Sequence, residues 1–210
     1  MKDAMVAESA LFGMGTVINH QVYGKNATEA LAAANTETTR LEELLSRFRP
    51  HSEISGINRS AGEWGNGVGI ETYEVLTKAV GFSKQLGGLF DITVGPLIDL
   101  WAGCKTNLKP PPRTIINSVL PLVNYRDIVF VPGKKTVALK KPGQSIDLGG
   151  VGKGYAADRI LEVFAASGIK SAFTNFGGNV AGSEQSLTVP FGGLVYVIPG
   201  RKTPLLVRFQ

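Results

Sequence analysis

The 210-residue sequence predicts an α+β fold, with mixed and antiparallel sheets packed by helices, on three observations. Hairpin candidates and helical stretches are interspersed along the chain, without the regular strand–helix alternation of a doubly wound parallel sheet. The 26 glycines gather in short clusters and form no repeat, which is how turns and caps punctuate an α/β chain. Hydrophobic residues make up 43% of the total, enough for a substantial core in a single domain over residues 1–210.

Each element has a local reason. Residues 10–23 read as extended, broken at Gly13-Met14-Gly15, with Val17, His20, Val22 and Tyr23 in imperfect alternation. Residues 26–46 read as a helix, because Ala27, Ala30, Leu31, Ala34, Leu41, Leu44 and Leu45 recur at helical spacing. A polar loop is expected over 47–69. A second helix follows over 71–86, with Tyr73, Leu76, Val80 and Phe82 facing the core. Gly87-Gly88 should end it, since glycine accepts the left-handed conformation of a helix C-cap. A strand is expected over 90–94, then a helical turn opened by Gly95-Pro96 and running to Trp101.

Lys109-Pro110-Pro111-Pro112 reads as a stiff linker between lobes. A short helix is expected over 114–123. Residues 127–131 and 136–139, joined by Pro132-Gly133-Lys134-Lys135, form the best hairpin candidate. A strand over 145–148 should enter a glycine loop, followed by a periodic helix over 155–167 (Ile160, Leu161, Phe164). Further strands are expected over 171–176 and 194–198.

The net charge is +5 and the isoelectric point near 9.4, which favours anionic partners. The cations are scattered, however. The densest groups, Lys134-Lys135 and Lys140-Lys141, flank a short apolar stretch and read as solvated surface. Nucleic-acid binding would need interleaved aromatics and a basic stripe, which are missing, so no nucleic-acid partner is expected. The single cysteine, Cys104, rules out an internal disulfide framework and a cysteine-based zinc site. No run reaches the roughly 18–20 apolar residues of a membrane helix. Residues 1–11 carry Lys2, Asp3 and Glu8 without an apolar region, so no signal peptide is expected and the compartment stays open.

Four stretches carry chemistry. In Asp147-Leu148-Gly149-Gly150-Val151-Gly152-Lys153-Gly154-Tyr155-Ala156-Ala157-Asp158 a strand feeds a glycine loop and then a helix. Such a loop can turn amides toward one point beside a helix N-terminus, and Lys153 adds a full charge. The stretch reads as a phosphate or pyrophosphate seat, with a purely structural glycine turn as the alternative. Gly154 stands where a Walker A motif needs Ser or Thr, and no acidic residue follows at ribose distance. In Gly87-Gly88-Leu89-Phe90-Asp91-Ile92-Thr93-Val94-Gly95-Pro96-Leu97, Asp91 is flanked by apolar residues. It must find partners, whether a ligand or the backbone donors of the next turn. Asn175-Phe176-Gly177-Gly178-Asn179 suits a tight turn or a backbone approaching a ligand. Residues 46–58, with Pro50, Ser52, Glu53 and Asn58, form a polar loop.

In this order, with Met14-Gly15-Thr16 before them, the four stretches resemble the ApbE family of flavin transferases. That family shows M-G-T, P-x-S-E-(I/L)-x-x-(I/F)-N, G-x-F-D-x-T-V-G-P-L with a following tryptophan, D-L-G-G-I-x-K-G-Y-A-x-D, and G-G-N. The resemblance runs over residues 10–182. It implies a T-fold-related architecture and an enzyme that moves the FMN half of FAD onto a threonine or serine of a target flavoprotein, releasing AMP, with Mg2+ at the phosphates. Typical targets are subunits of membrane redox complexes, and family members are often periplasmic or membrane-anchored.

Carried over by motif, Met14, Leu89, Phe90, Asp91 and Asp158 would contact FAD, and Lys153 would lie near the phosphates. The main-chain carbonyl of Gly152 would be a magnesium ligand. Phe48 would stack on the flavin where a tyrosine is common, keeping the stack without the hydroxyl. The family continues with H-I-I-D-P-x-T-G and A-D-A-x-(S/A)-T, which supply a histidine and further metal ligands. Nothing similar follows Leu187, so no catalytic residue is assigned and the chain is expected to be C-terminally truncated relative to the family. An exposed sheet edge left in this way would favour association with another chain, a homodimer included. The two histidines do not match the family's position: His20 reads as a satisfied structural residue and His51 as solvated. A flavin- or nucleotide-binding protein without transferase activity is the alternative function.

Overall fold

The computed structural model describes residues 6–104, 109–183, 194–196 and 205–207. Strands β1 (Val6–Gly13) and β2 (Thr16–Tyr23) lead into helix α1 (Ala27–Leu45), a short helix α2 (Glu53–Arg59), strand β3 (Asn66–Gly67) and helix α3 (Ile70–Gln85). Helices α4 (Gly95–Ala102) and α5 (Arg113–Val119) precede a hairpin of β4 (Ile128–Phe130) and β5 (Thr136–Leu139). Helix α6 (Gly152–Ala166) and strands β6 (Ser171–Phe176) and β7 (Asn179–Gly182) follow. Strands β8 (Leu194–Tyr196) and β9 (Leu205–Val207) pair with each other. The fold class is α+β, and every ladder between named strands is antiparallel.

The chain divides into two compact units, Met1–Thr39 with Gly154–Gln210, and Arg40–Lys153. The division falls within α1 and within α6, and the proline run at 109–112 lies inside the second unit, just ahead of α5.

The first unit is built on the sheet β1-β2-β6-β7. Alternation places Ile18, His20 and Val22 of β2 and Ala172, Thr174 and Phe176 of β6 on one buried face. Val17, on the other face of β2, is half exposed. Ala30, Leu31 and Ala34 of α1 and Ile160 and Phe164 of α6 complete the core, each fully buried large side chain contributing about 1.5–3 kcal/mol. His20 is buried among them, edge-on to Phe164 and Phe176 with ring centroids at 6.0 and 5.8 Å. The Thr38 hydroxyl donates to the Ala34 carbonyl at 2.8 Å, so toward His20 Nε2, 3.5 Å away, it accepts. The Thr174 hydroxyl then donates to Nδ1 at 2.8 Å, which defines a neutral imidazole protonated on Nε2. Burial lowers its pKa from 6.5 to about 4. The histidine is structural, as its place in a strand suggested.

The second unit holds the three-stranded sheet β3-β5-β4 and helices α2 to α5. In α3 the buried stripe is Thr72, Val75, Leu76, Ala79, Val80 and Ser83. Phe82, expected to face the core, is half exposed, because its position falls at the margin of that stripe, about a quarter turn from its centre. Gly87 and Gly88 end α3 with φ of 61° and 87°, and the Gly88 amide donates back to the Ser83 carbonyl at 2.8 Å.

Three other expectations change. The stretch 47–69 is not a plain loop, because Ser52 caps the helix α2 within it. Residues 90–94 and 145–148 form no strands of their own. They meet through one parallel bridge between Val94 and Ser145 and a bond from the Asp147 amide to the Ile92 carbonyl at 2.8 Å. Side-chain bonds to the loop amides take the place of a longer ladder there. Finally, α6 starts three residues earlier than its apolar periodicity indicates, since the glycine loop itself winds into the first turn. Of the strand expected over 194–198, Leu194–Tyr196 is seen, and its last two residues lie outside the described ones.

Candidate functional site

In the second unit three of the motif stretches interlock. Ser52 Oγ accepts from the Ser55 amide at 2.9 Å and donates to the Ser46 carbonyl at 2.6 Å, so it both caps α2 and ties it to the end of α1. Glu53 places both carboxylate oxygens on the Gly69 amide, at 2.9 and 3.0 Å, where negative charge meets the N-terminus of α3. Asn58 pairs with the main chain of Ile146 as a strand would, accepting from its amide at 2.7 Å and donating to its carbonyl at 3.0 Å. Ser52, Glu53 and Asn58 of the loop over 46–58 therefore have fold-forming tasks, and Asn58 fastens the loop to the segment entering the glycine turn.

Asp91 is similarly committed. Its Oδ1 accepts from the Thr93 amide at 2.8 Å and the Thr93 hydroxyl at 2.6 Å, and its Oδ2 accepts from the Tyr125 amide at 2.7 Å. The half-buried carboxylate is thus satisfied by protein donors, and its effect is to hold the turn that carries Leu89 and Phe90. Leu89 is almost fully exposed, at 94%. Phe90 packs against the glycine loop so closely that a Cβ on Gly150 would lie 2.9 Å from its ring. Gly95 is closer still: a Cβ there would meet Ser145 Oγ at 2.2 Å and its carbonyl at 2.7 Å. Glycine at these positions is what lets the two segments touch.

The glycine loop uses part of its own donor supply. The Gly149 amide donates to Asp147 Oδ1 at 2.7 Å, and the Val151 and Gly152 amides both donate to the Leu148 carbonyl. What remains for an anion is the positive N-terminus of α6 together with the half-buried Lys153, which forms no ion pair among the described residues. Asp158 lies on the same helix and is exposed. Phe48, at 78% exposure, follows Arg47, a residue whose importance the sequence did not reveal. The Arg47 guanidinium binds Asp99 Oδ2 at 2.6 Å and reaches Asp147 Oδ2 and the Gly95 carbonyl at 3.4 Å. Its one sequence signal is adjacency to the aromatic position.

The first unit gathers the other two motifs. Met14 and Gly15 form the two-residue turn between β1 and β2, with φ of 50° and 74°. A methionine held in the left-handed region costs of the order of 1 kcal/mol, and such strain concentrates at functional positions. The turn Gly177-Gly178, between β6 and β7, lies against it: a Cβ on Gly177 would meet Thr16 Oγ1 at 2.1 Å. Gly154 approaches Asn179 Nδ2 at 3.4 Å from its would-be Cβ. The M-G-T and G-G-N turns and the start of α6 therefore adjoin within this unit.

The implied metal finds an incomplete donor set. No group of three His, Cys, Asp or Glu among the described residues is placed to hold an ion. Gly152 is buried in the first turn of α6, where its carbonyl serves the helix. Magnesium wants six oxygen donors, and this set does not supply them. His51 is exposed, and Cys104 is half-buried and unpaired. No helix among the described residues is long and apolar enough to cross a membrane.

Comparison with known proteins gives a consistent picture. The model of the ApbE family matches residues 14–190. An FAD:protein FMN transferase of Klebsiella pneumoniae is 29% identical over 181 residues, covering 86% of this chain and 57% of the relative. One from Treponema pallidum is 29% identical over 176 residues, covering 80% and 49%. Among solved structures, the ApbE protein of Thermotoga maritima superposes with a TM-score of 0.78 at 30% identity, covering 85% of this chain and 59% of its own. The flavin transferase ApbE of Vibrio cholerae shares the fold with a TM-score of 0.76 at 20% identity, covering 84% and 58%. The chain thus spans roughly half to three-fifths of the length of these relatives.

Proposed function

The chain belongs to the ApbE family, and on that premise we propose that it binds FAD and transfers the FMN half to a threonine or serine hydroxyl of a target flavoprotein. In that reaction the acceptor oxygen bonds to the phosphorus of the FMN half and the pyrophosphate bond to the AMP half breaks. AMP leaves, and the hydroxyl proton passes to solvent or a base. The acceptor is a flavoprotein subunit of a redox complex.

The observation that carries this reading is the interlocking of the loop after α1, the turn over 87–95 and the glycine loop within one unit, with aromatic and apolar side chains exposed beside a helix N-terminus. Phe48 offers a stacking face for the isoalloxazine. Leu89 and the main chain of Phe90 and Asp91 offer apolar contact and backbone groups, since the Asp91 carboxylate is spent. Lys153 and the start of α6 attract the pyrophosphate, while Met14 and Asp158 are assigned to FAD by the motifs alone. The donor set for magnesium among the described residues is incomplete.

The same gap supports a second reading, in which the chain holds FAD without transferring FMN. Both are tested by incubating the protein with FAD, magnesium and a threonine-containing flavoprotein, then measuring AMP and protein-bound FMN. AMP together with bound FMN supports transfer. FAD binding without AMP supports the second reading, and no FAD binding overturns both.

A further inference from the structure

We propose that Arg47 is a positioning residue that presets the Phe48 ring and the glycine loop before a ligand arrives. The proposal rests on Phe48 being the flavin-stacking residue, and its own geometry lies entirely within the second unit. Arg47 stands just beyond the end of α1, and its main chain is held by the Ser55 hydroxyl, which donates to its carbonyl at 2.9 Å. Its side chain is only 10% exposed. One guanidinium nitrogen meets Asp99 of α4 at 2.6 Å. The other reaches Asp147 Oδ2 and the Gly95 carbonyl, each at 3.4 Å.

Asp147 is the joint. Its second oxygen accepts from the Gly149 amide at 2.7 Å, so a single carboxylate connects Arg47 to the glycine loop. The guanidinium also lies over the Phe48 ring, 5.4 Å from its centroid. An exposed aromatic side chain is otherwise free to sample rotamers; a planar cation fixed by three acceptors behind one face restricts it and leaves the other face for a flat ligand. Exposed ion pairs contribute little, but this arginine is nearly buried and forks between two carboxylates, the geometry in which arginine positions its neighbours. Its charge is already paired, so it orders the site and does not recruit phosphate.

The test uses the full chain with 4-fluorophenylalanine placed at position 48, read by 19F NMR without ligand, in the wild-type, Arg47→Lys and Arg47→Met backgrounds. We expect Arg47→Met to shift and narrow the resonance toward that of the free amino acid, and Arg47→Lys to recover it in part. In parallel, the FAD dissociation constant is measured for Arg47→Met, Phe48→Ala and the double variant. We expect Arg47→Met alone to weaken binding about tenfold, and by less than about twofold when Phe48 is already alanine, the non-additivity of two residues acting as one contact. An unchanged resonance, or fully additive losses, overturns the proposal. If the wild type binds no FAD, the flavin reading of Phe48 fails and the 19F result alone decides the role of Arg47. Should Arg47→Met not fold, Asp147→Asn breaks the same link while Oδ1 can still cap Gly149, and the same shift is expected.

Discussion

Gly95, His20 and Asp127 each act through what surrounds them, and each sets an expectation. A methyl group on Gly95 has nowhere to go, with Ser145 Oγ and its carbonyl both inside contact distance. Gly95→Ala is expected to destabilise the protein by about 1–3 kcal/mol in urea unfolding, the usual cost of overpacking. His20 is neutral in the folded state and has a pKa of about 4 there, against 6.5 when unfolded. The unfolded chain therefore binds the proton first. Above pH 6.5 the histidine costs nothing; as the pH falls from 6.5 toward 4, stability is lost, by about 3 kcal/mol over that window. A His20→Leu variant should lose that part of the pH dependence, as read from urea midpoints at pH 7 and pH 4.5. Asp127 behaves in the opposite sense: burial pushes its carboxyl up, but hydrogen bonds from Lys141 and Gln144 together with the charges of Lys141 and Lys140 hold it below the usual value, so its contribution is present at neutral pH and lost only in stronger acid.

At the scale of elements, the polar residues of the loop over 46–58 act as joints between elements. Ser52 caps α2, Glu53 sits at the start of α3 and Asn58 completes a strand-like pair with Ile146. Ser52→Ala should cost about 1 kcal/mol, the worth of an N-cap. Asn58→Ala should cost about 1–3 kcal/mol, because it leaves the buried-side amide and carbonyl of Ile146 without partners. It should also loosen the glycine loop, seen as faster amide exchange over 146–152 by hydrogen-exchange mass spectrometry. Much of this level was legible beforehand. The long helices and the β4–β5 hairpin follow from periodicity and turn residues. Helix α2 was not, since seven residues with few apolar positions give no period to read, and it exists because Ser52 supplies its cap. Residues 90–94 read as a strand because their side chains are strand formers, whereas Asp91 turns the backbone by binding Thr93.

For the molecule as a whole, the chain divides into two units, with the partners of His20 in one and those of Gly95 in the other. Substitutions confined to them share no hydrogen-bond partner, so the stability costs of His20→Leu and Gly95→Ala should add to within about 0.5 kcal/mol in the double variant. A larger departure would mean that the units respond to one another. The motif residues are divided in the same way. Met14 and Asp158 belong to the first unit, and Phe48, Leu89, Phe90, Asp91 and Gly152 to the second, with α6 carrying the stretch around Lys153 through the division.

By itself the sequence determined the fold class, the long helices, the structural character of His20 and the family, because hydrophobic periodicity, glycine placement and motif order are local or ordered along the chain. Tertiary structure alone decided what the polar motif residues do. Whether Asp91, Glu53 or Asn58 faces a ligand or a neighbouring amide depends on which backbone groups are brought within about 3 Å, the range of a hydrogen bond. That proximity is created between residues as far apart as Arg47 and Asp147, a separation that no local pattern encodes.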